Sequence, residues 1–269
     1  MKHEYDPGYG VDPFRALCAE HPDESTYPRS AFRVEWGPIF HRGRLDGSAR
    51  LLVIGQDPAA HESVLRRILV GEAGQRVQGF LARLGITRSY VMINTFLYSV
   101  YGQKGGVTHK TDAGIIAYRN RWIDALVLNR SIEAVVTFGE LAADAWKKWK
   151  ATPNGKTVQL PLAEMLHPTF PESASGGNKT KHAQNTKRLL ANWNEGLELL
   201  HAAIRHADET KDLVPYGDAF QPGDLSEIPE FDVPAGTPPW MRGLEGWAAR
   251  TGSTPAEKRK TITIKIPSG

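Results

Sequence analysis

The sequence predicts an α/β fold built on a mainly parallel sheet. Short apolar runs that read as buried strands alternate with segments whose apolar residues recur at helical spacing. Three of the runs also end in polar residues of chemical interest, as strands do where an open α/β sheet carries its ligand site.

The strands are expected at Leu51–Ile54, Tyr90–Thr95, Glu133–Phe138 and Thr157–Leu166. Between them, Val77, Phe80, Leu81 and Leu84 have helical spacing, with Gly85 suited to end the helix. Ile115, Ile116, Trp122, Ile123 and Leu126 predict a second helix, with Asp112 as its N-cap. Glu140 to Trp149 predicts a third, and Leu189, Trp193, Leu197, Leu200 and Ile204 form the stripe of a last one. Residues 1–49 read as an N-terminal extension with a short helix at Phe14–Ala19 and a strand pair between Phe32 and Leu45. Residues 206–269 read as a C-terminal extension. Its first part is Pro-rich and acidic, which favours an irregular tail that Tyr216, Phe220, Phe231 and Trp240 could wrap onto the core. Thr261–Ile266 alternates like a strand that could join a sheet edge.

Composition narrows the classes. The chain has 269 residues, 41% of them hydrophobic, enough for one large core or two small ones. Cys18 is the single cysteine, so a disulfide framework or a cysteine-ligated metal or iron–sulfur cluster cannot form within one chain. No stretch approaches the ~18 apolar residues of a membrane span, and the first residues lack a signal-peptide core, so a cytoplasmic protein is expected. A net charge of +3 and a pI near 8.9 fit a polyanion partner without requiring one. His109, His167 and His182 lack ligand spacing and no HExxH is present, so no metal is expected. "GQKGGVT" lacks the Gly-Lys-Ser/Thr ending of a phosphate loop.

The strand ends carry the candidate chemistry. "LLVIGQDPA" delivers Gln56 and Asp57, "YVMINTF" delivers Asn94, and "LPLAEMLHPTF" delivers His167 ahead of Pro168. Singly, each has an ordinary structural use: a turn cap, a loop hydrogen bond, a satisfied histidine. A carboxylate, an amide and an imidazole at three strand ends together point to a site.

"GQDPA" followed far downstream by "HPTFP" resembles the first and last signature motifs of the uracil-DNA glycosylase superfamily. Asn94 falls at that superfamily's base-reading asparagine. "RRILVGEAGQRVQGFLARLGI" is similar to the helix entry of the thermophilic-type, iron–sulfur branch, and "GGVTHKT" resembles the histidine loop of the branch that captures uracil-DNA covalently. The resemblance spans roughly residues 50–204. It implies a three-layer α/β/α sandwich around a central, mainly parallel four-stranded sheet, with extensions at both ends. The departures are specific: the tyrosine after the classical "GQDP" is Ala59, the stacking aromatic of the iron–sulfur branch is Leu69, and that branch's cluster cannot form with Cys18 alone. The chain resembles a divergent member that mixes the features of several branches.

The resemblance implies a DNA-repair enzyme that flips out uracil and hydrolyses its N-glycosidic bond, without cofactor, as a monomer. Asp57 would orient water and stabilise the cation-like sugar. A neutral His167 would donate to uracil O2 as the anion leaves. Asn94 would read the O4 and N3–H edge, with Gln56, Ala59, Leu69 and His109 completing the pocket. After His167, "TFPESASGGNKTKH" reads as a loop with Thr169 and Lys181 for phosphates and Phe170 as the wedge filling the vacated stack. Two other readings stay open: a uracil-DNA binding protein that captures DNA through His109, and a small-molecule hydrolase using the same crevice.

Overall fold

The computed structural model describes residues 7–128, 130–258 and 260–267. Leu51, Leu52, Val53 and Ile54 are wholly buried, as a strand covered on both faces requires. They begin β2 (Leu51–Gly55), which pairs in parallel with β3 (Tyr90–Asn94) on one side and β4 (Ala134–Phe138) on the other; β5 (Leu162–Met165) follows β4 in parallel. A fifth short strand, β1 (Arg42–Gly43), adds antiparallel to β3, giving the order β1-β3-β2-β4-β5. The sheet thus has one strand more than the four expected, and it begins inside the segment read as an N-terminal extension.

Side-chain alternation divides the interior into two cores. Leu52, Ile54, Val91, Ile93 and Val135 face helices α1 (Phe14–Ala19), α5 (Ala113–Val127) and α6 (Glu140–Lys150). Leu51, Val53, Tyr90, Met92, Val136 and Met165 face α3 (Glu72–Arg83) and the 25-residue α9 (Lys179–Ala203). This is the expected three-layer sandwich. The remaining helices are α2 (Ala60–Leu65), α4 (Gly102–His109), α7 (Pro153–Thr157), α8 (Phe170–Ser175), α10 (Trp240–Gly243) and α11 (Pro255–Lys258). Each fully buried Leu or Phe contributes about 1.5–3 kcal/mol, so the two cores supply most of the cohesion. Gly85 ends α3 as expected, with φ of +70°.

Several local expectations change. Phe32 and Arg42–Gly43 do not pair with each other; Phe32 bridges Val100 and β1 joins β3. The strand expected from Thr157 is shorter, because Pro153 starts a helical turn capped by Thr152, whose hydroxyl accepts from Gly155 N–H at 3.0 Å. The loop expected after His167 is instead α8 followed by the first turn of α9, the helix whose later turns carry the expected stripe from Leu189 to Leu200. The two helices are joined through Gly176 and Gly177, both in the left-handed region, and Lys179, Lys181 and His182 lie in the first turn of α9.

The acidic tail wraps the core through its charges. Asp232, wholly enclosed, pairs with Arg42 at 3.2 Å and with Arg44, and accepts from the Tyr90 hydroxyl. Asp224 pairs with Arg83, whose guanidinium lies 4.1 Å from the Tyr216 ring centroid. Buried carboxylates need such partners, since an unpaired buried charge costs several kcal/mol. Thr261–Ile266 does hold a strand, β7 (Ile262–Ile264), but it pairs antiparallel with β6 (Ala248–Arg250) in a separate two-stranded sheet, not at the central edge.

Candidate active site

Gln56 and Asp57 emerge where β2 ends against β3. Thr95 N–H and Phe96 N–H donate to the carbonyls of Gly55 and Gln56, both at 2.9 Å, which carries the pairing past the last strand residues. Gly55 is required here: a Cβ on it would lie 2.4 Å from Asn94 Oδ1, so the asparagine leans over the bare backbone of β2. Gly139, at φ of +89°, leaves similar room for the Gln56 amide, whose Nε2 would lie 2.8 Å from an added Cβ.

Asp57 is open to solvent on one side and crowded by protein on the others. Crowding dominates and pushes its pKa up to about 6, with the charge of Glu62 adding a little; the N–H of Val100, which donates to Oδ2 at 3.3 Å, and the charges of Arg250 and Arg33 oppose the rise. Glu62 is itself buried and accepts from Ala59 N–H at 3.0 Å and Val70 N–H at 3.3 Å. One carboxylate therefore fixes both the start of α2 and the turn containing Leu69. Ala59 is exposed at the N-cap and contributes no side-chain cap of its own. Leu69 is buried in the left-handed region at φ of 54°, a conformation costing roughly 1–2 kcal/mol for a residue with a Cβ. Its carbonyl passes so near Gly74 that a Cβ there would lie 1.7 Å away.

His167 is held at its backbone from several sides. Asn192 Oδ1 accepts from Leu166 N–H at 2.7 Å, Trp193 Nε1–H donates to the Leu166 carbonyl at 3.0 Å, and Arg76 donates to the Pro168 carbonyl at 2.7 Å. Its Nδ1 accepts from Thr169 N–H at 3.3 Å and lies 3.0 Å from the Thr169 hydroxyl. The tautomer that fits carries its proton on Nε2. Burial lowers the imidazole pKa to about 4, with Glu172 opposing and Arg76 reinforcing the shift, so the ring is neutral near pH 7. Sequence reasoning misses Asn192, Trp193 and Arg76, because helical spacing marks them only as face residues of α3 and α9.

Gln56, His167 and Phe170 share a cavity of about 790 Å³, bounded also by Gly139 and Glu140, by Val107 and Lys110, and by Arg188 and Asn192 of α9. Its volume suits a nucleotide-sized ligand. Asp57 and Asn94 do not line this cavity; they stand at its β2 and β3 side. Given the strand order, Asn94 and His167 are three strand spacings apart, about 14 Å at ~4.8 Å each. Phe170 is half-buried in the cavity wall, with the Arg188 guanidinium 5.5 Å from its ring centroid. Thr169 is the N-cap residue of α8 and Lys181 is exposed. His109, the last residue of α4, is outside the cavity lining: its Nδ1 is 2.7 Å from Asp112 Oδ2 and its ring packs 5.3 Å from Phe32. Asp112 thus precedes α5 as expected but spends its carboxylate on His109 instead of on the helix N–H groups.

Among the described residues, no three of His, Cys, Asp and Glu gather as a metal site, and no helix is long and apolar enough to cross a membrane. No curated protein matches the chain. The profile of the Uracil DNA glycosylase superfamily matches residues 42–201, from β1 through nearly all of α9, and so takes in all five strands of the central sheet and each strand end described above. The chain belongs to the uracil DNA glycosylase superfamily.

Proposed function

We propose that this protein excises uracil from DNA by hydrolysis of the N-glycosidic bond, leaving an abasic site. The observation that supports the reading is a pair of groups suited to opposite tasks at the ends of β2 and β5 in one mainly parallel sheet. Asp57 can hold negative charge beside a sugar, and a neutral His167 presents an Nε2–H to a departing base. Bond cleavage puts positive charge on the sugar and negative charge on the pyrimidine, and fixed groups of matching sign lower that barrier. Asp57, once ionised, stabilises the sugar cation and orients a water for attack. His167, with four backbone hydrogen bonds holding Leu166, Pro168 and Thr169 around it, donates to uracil O2 without needing to reorganise. Asn94 matches the O4 and N3–H edge, where cytosine offers the reverse pattern.

The DNA strand is assigned to the Thr169–Lys181 side. Among the described residues, the exposed Lys179 and Lys181 at the start of α9 have no ion-pair partner, so their charge is open to phosphates, although Asn178 caps the Lys181 N–H. Phe170, as a wall of the cavity, stacks against the extruded nucleotide. Ala59 leaves open the position that a tyrosine would fill against a 5-methyl group, so the pocket also accepts 5-substituted uracils and some deaminated purines. On a panel of modified oligonucleotides, Ala59→Tyr narrows the accepted range towards uracil; activity restricted to uracil in the unmodified protein would count against the open pocket.

Capture through His109 is the second reading. His109 is already engaged with Asp112 and Phe32, and Asp57 is present to position water, so hydrolysis is favoured over a lasting bond. A uracil oligonucleotide incubated with the protein should give no heat-stable adduct on a denaturing gel. An adduct lost in His109→Ala would install capture in place of hydrolysis.

A further inference from the structure

The C-terminal hairpin lies outside the superfamily match, yet it is docked beside the candidate carboxylate. Its first strand, β6, packs on α2, the helix that starts three residues after Asp57. His61 on α2 is the anchor: its Nε2 accepts from Ala248 N–H at 3.2 Å, and its ring meets Trp247 edge to face at 4.8 Å. Trp247 and Ala248 are buried with Ala60, Leu65, Val70, Ile228 and Val233 in a third apolar cluster. Lys265 N–H donates to the Trp247 carbonyl at 2.7 Å, which fastens the returning strand. A seat of this kind gives a fixed geometry.

What the seated hairpin presents is positive charge. Arg250, Lys258, Lys260 and Lys265 are all exposed, and none forms an ion pair among the described residues. The one carboxylate between positions 248 and 267 is Glu257, and its Oε2 accepts from the backbone of Ser253 and Thr254. The preceding tail behaves in the opposite way, turning Asp224 and Asp232 inward onto arginines. Arg250 also reaches Asp57 and Arg33 electrostatically. Arg33 is 3% exposed, its Nε has no partner, and its guanidinium sits between the rings of Trp36 and Tyr101 at 4.8 and 4.4 Å. Beside Asp57 there are thus two arginines with no carboxylate paired to either.

We propose that the β6–β7 hairpin is a second DNA-backbone contact, in which Arg250, with Lys258 and Lys260, binds phosphates flanking the nucleotide presented to Asp57. The proposal rests on the DNA substrate read above. The hairpin grips the duplex on the α2 side, while the first turn of α9 grips it on the His167 side, so the strand is held at both ends of the crevice. The field of Arg250 also favours the ionised form of Asp57.

The test is binding of a uracil-free duplex by fluorescence anisotropy at several salt concentrations, alongside uracil release from the matching uracil duplex. Arg250→Glu and Arg250→Gln are compared with the whole protein and with Arg121→Gln, a cation paired with Glu20 on the outer face of α5. Both Arg250 variants should melt like the whole protein, bind more weakly, and show a log–log salt slope shallower by about 0.9 for each phosphate that is no longer neutralised; Arg121→Gln should change neither. Unchanged affinity and slope in both Arg250 variants overturn the proposal, as does weakening that appears only together with a lowered melting temperature. Uracil release by the whole protein with no effect of Arg250 sinks the hairpin's role and leaves the excision reading. Arg250-dependent duplex binding with no base release does the reverse.

Discussion

Two residues set the expected pH dependence. Asp57 has its pKa raised to about 6, so the role proposed for it is open only above that value, where it is ionised. His167 has its pKa lowered to about 4 and stays neutral across the same range. The single-turnover excision rate should therefore fall about tenfold per pH unit below pH 6 through loss of the carboxylate alone, with no second decline until near pH 4. A rate flat from pH 7 to 5 would remove Asp57 from that role. Gly55 supplies a steric test at the same scale. Because an added Cβ would meet Asn94 Oδ1 at 2.4 Å, Gly55→Ala should displace the asparagine and weaken discrimination of uracil from cytosine, while the strand beneath stays paired. Equal selectivity in a cleavage competition would show that Asn94 does not read the base. Asp57, Asn94 and His167 are legible in the sequence because each follows an apolar run at a strand end. Arg76, Asn192 and Trp193 are not, since their effect on His167 depends on which helix face meets the Leu166–Thr169 turn.

At the scale of elements, periodicity locates every parallel strand and the principal helices, because burial on two sheet faces leaves a strong apolar pattern. It fails where polar contacts decide the structure. β1 reads as part of a hairpin, yet the Arg42 guanidinium is drawn into a buried cluster with Asp232, Tyr90 and Gln78 from distant parts of the chain. The same distance in sequence hides the purpose of the acidic tail, whose composition resembles that of a mobile segment. Asp232→Ala strips the partner from Arg42 and Arg44, and removing one side of a buried pair costs about 3–5 kcal/mol. Denaturant unfolding should show a loss of this size, with excision per folded molecule preserved. A loss below about 1 kcal/mol would mean that water, not Asp232, satisfies these arginines. The segment from Thr169 to His182 reads as a loop because Gly176 and Gly177 punctuate it; the structure uses that break to turn the chain from α8 into α9, whose later turns carry the expected apolar stripe.

For the whole molecule, the superfamily match covers the sheet and its strand ends, while the hairpin and the acidic wrap are built onto it from outside residues 42–201. The excision proposed above requires a carboxylate and a neutral imidazole at opposite ends of the breaking glycosidic bond. The most direct measurement is single-turnover release of uracil from an oligonucleotide carrying one uracil, with abasic sites read after alkaline cleavage, for the unchanged protein and for Asp57→Asn. Release by the unchanged protein is expected, with a loss of about 10²–10⁴ in rate for the variant and uracil-DNA binding intact by anisotropy. Excision by Asp57→Asn at a near-normal rate, or no abasic sites with the unchanged protein, would contradict that proposal.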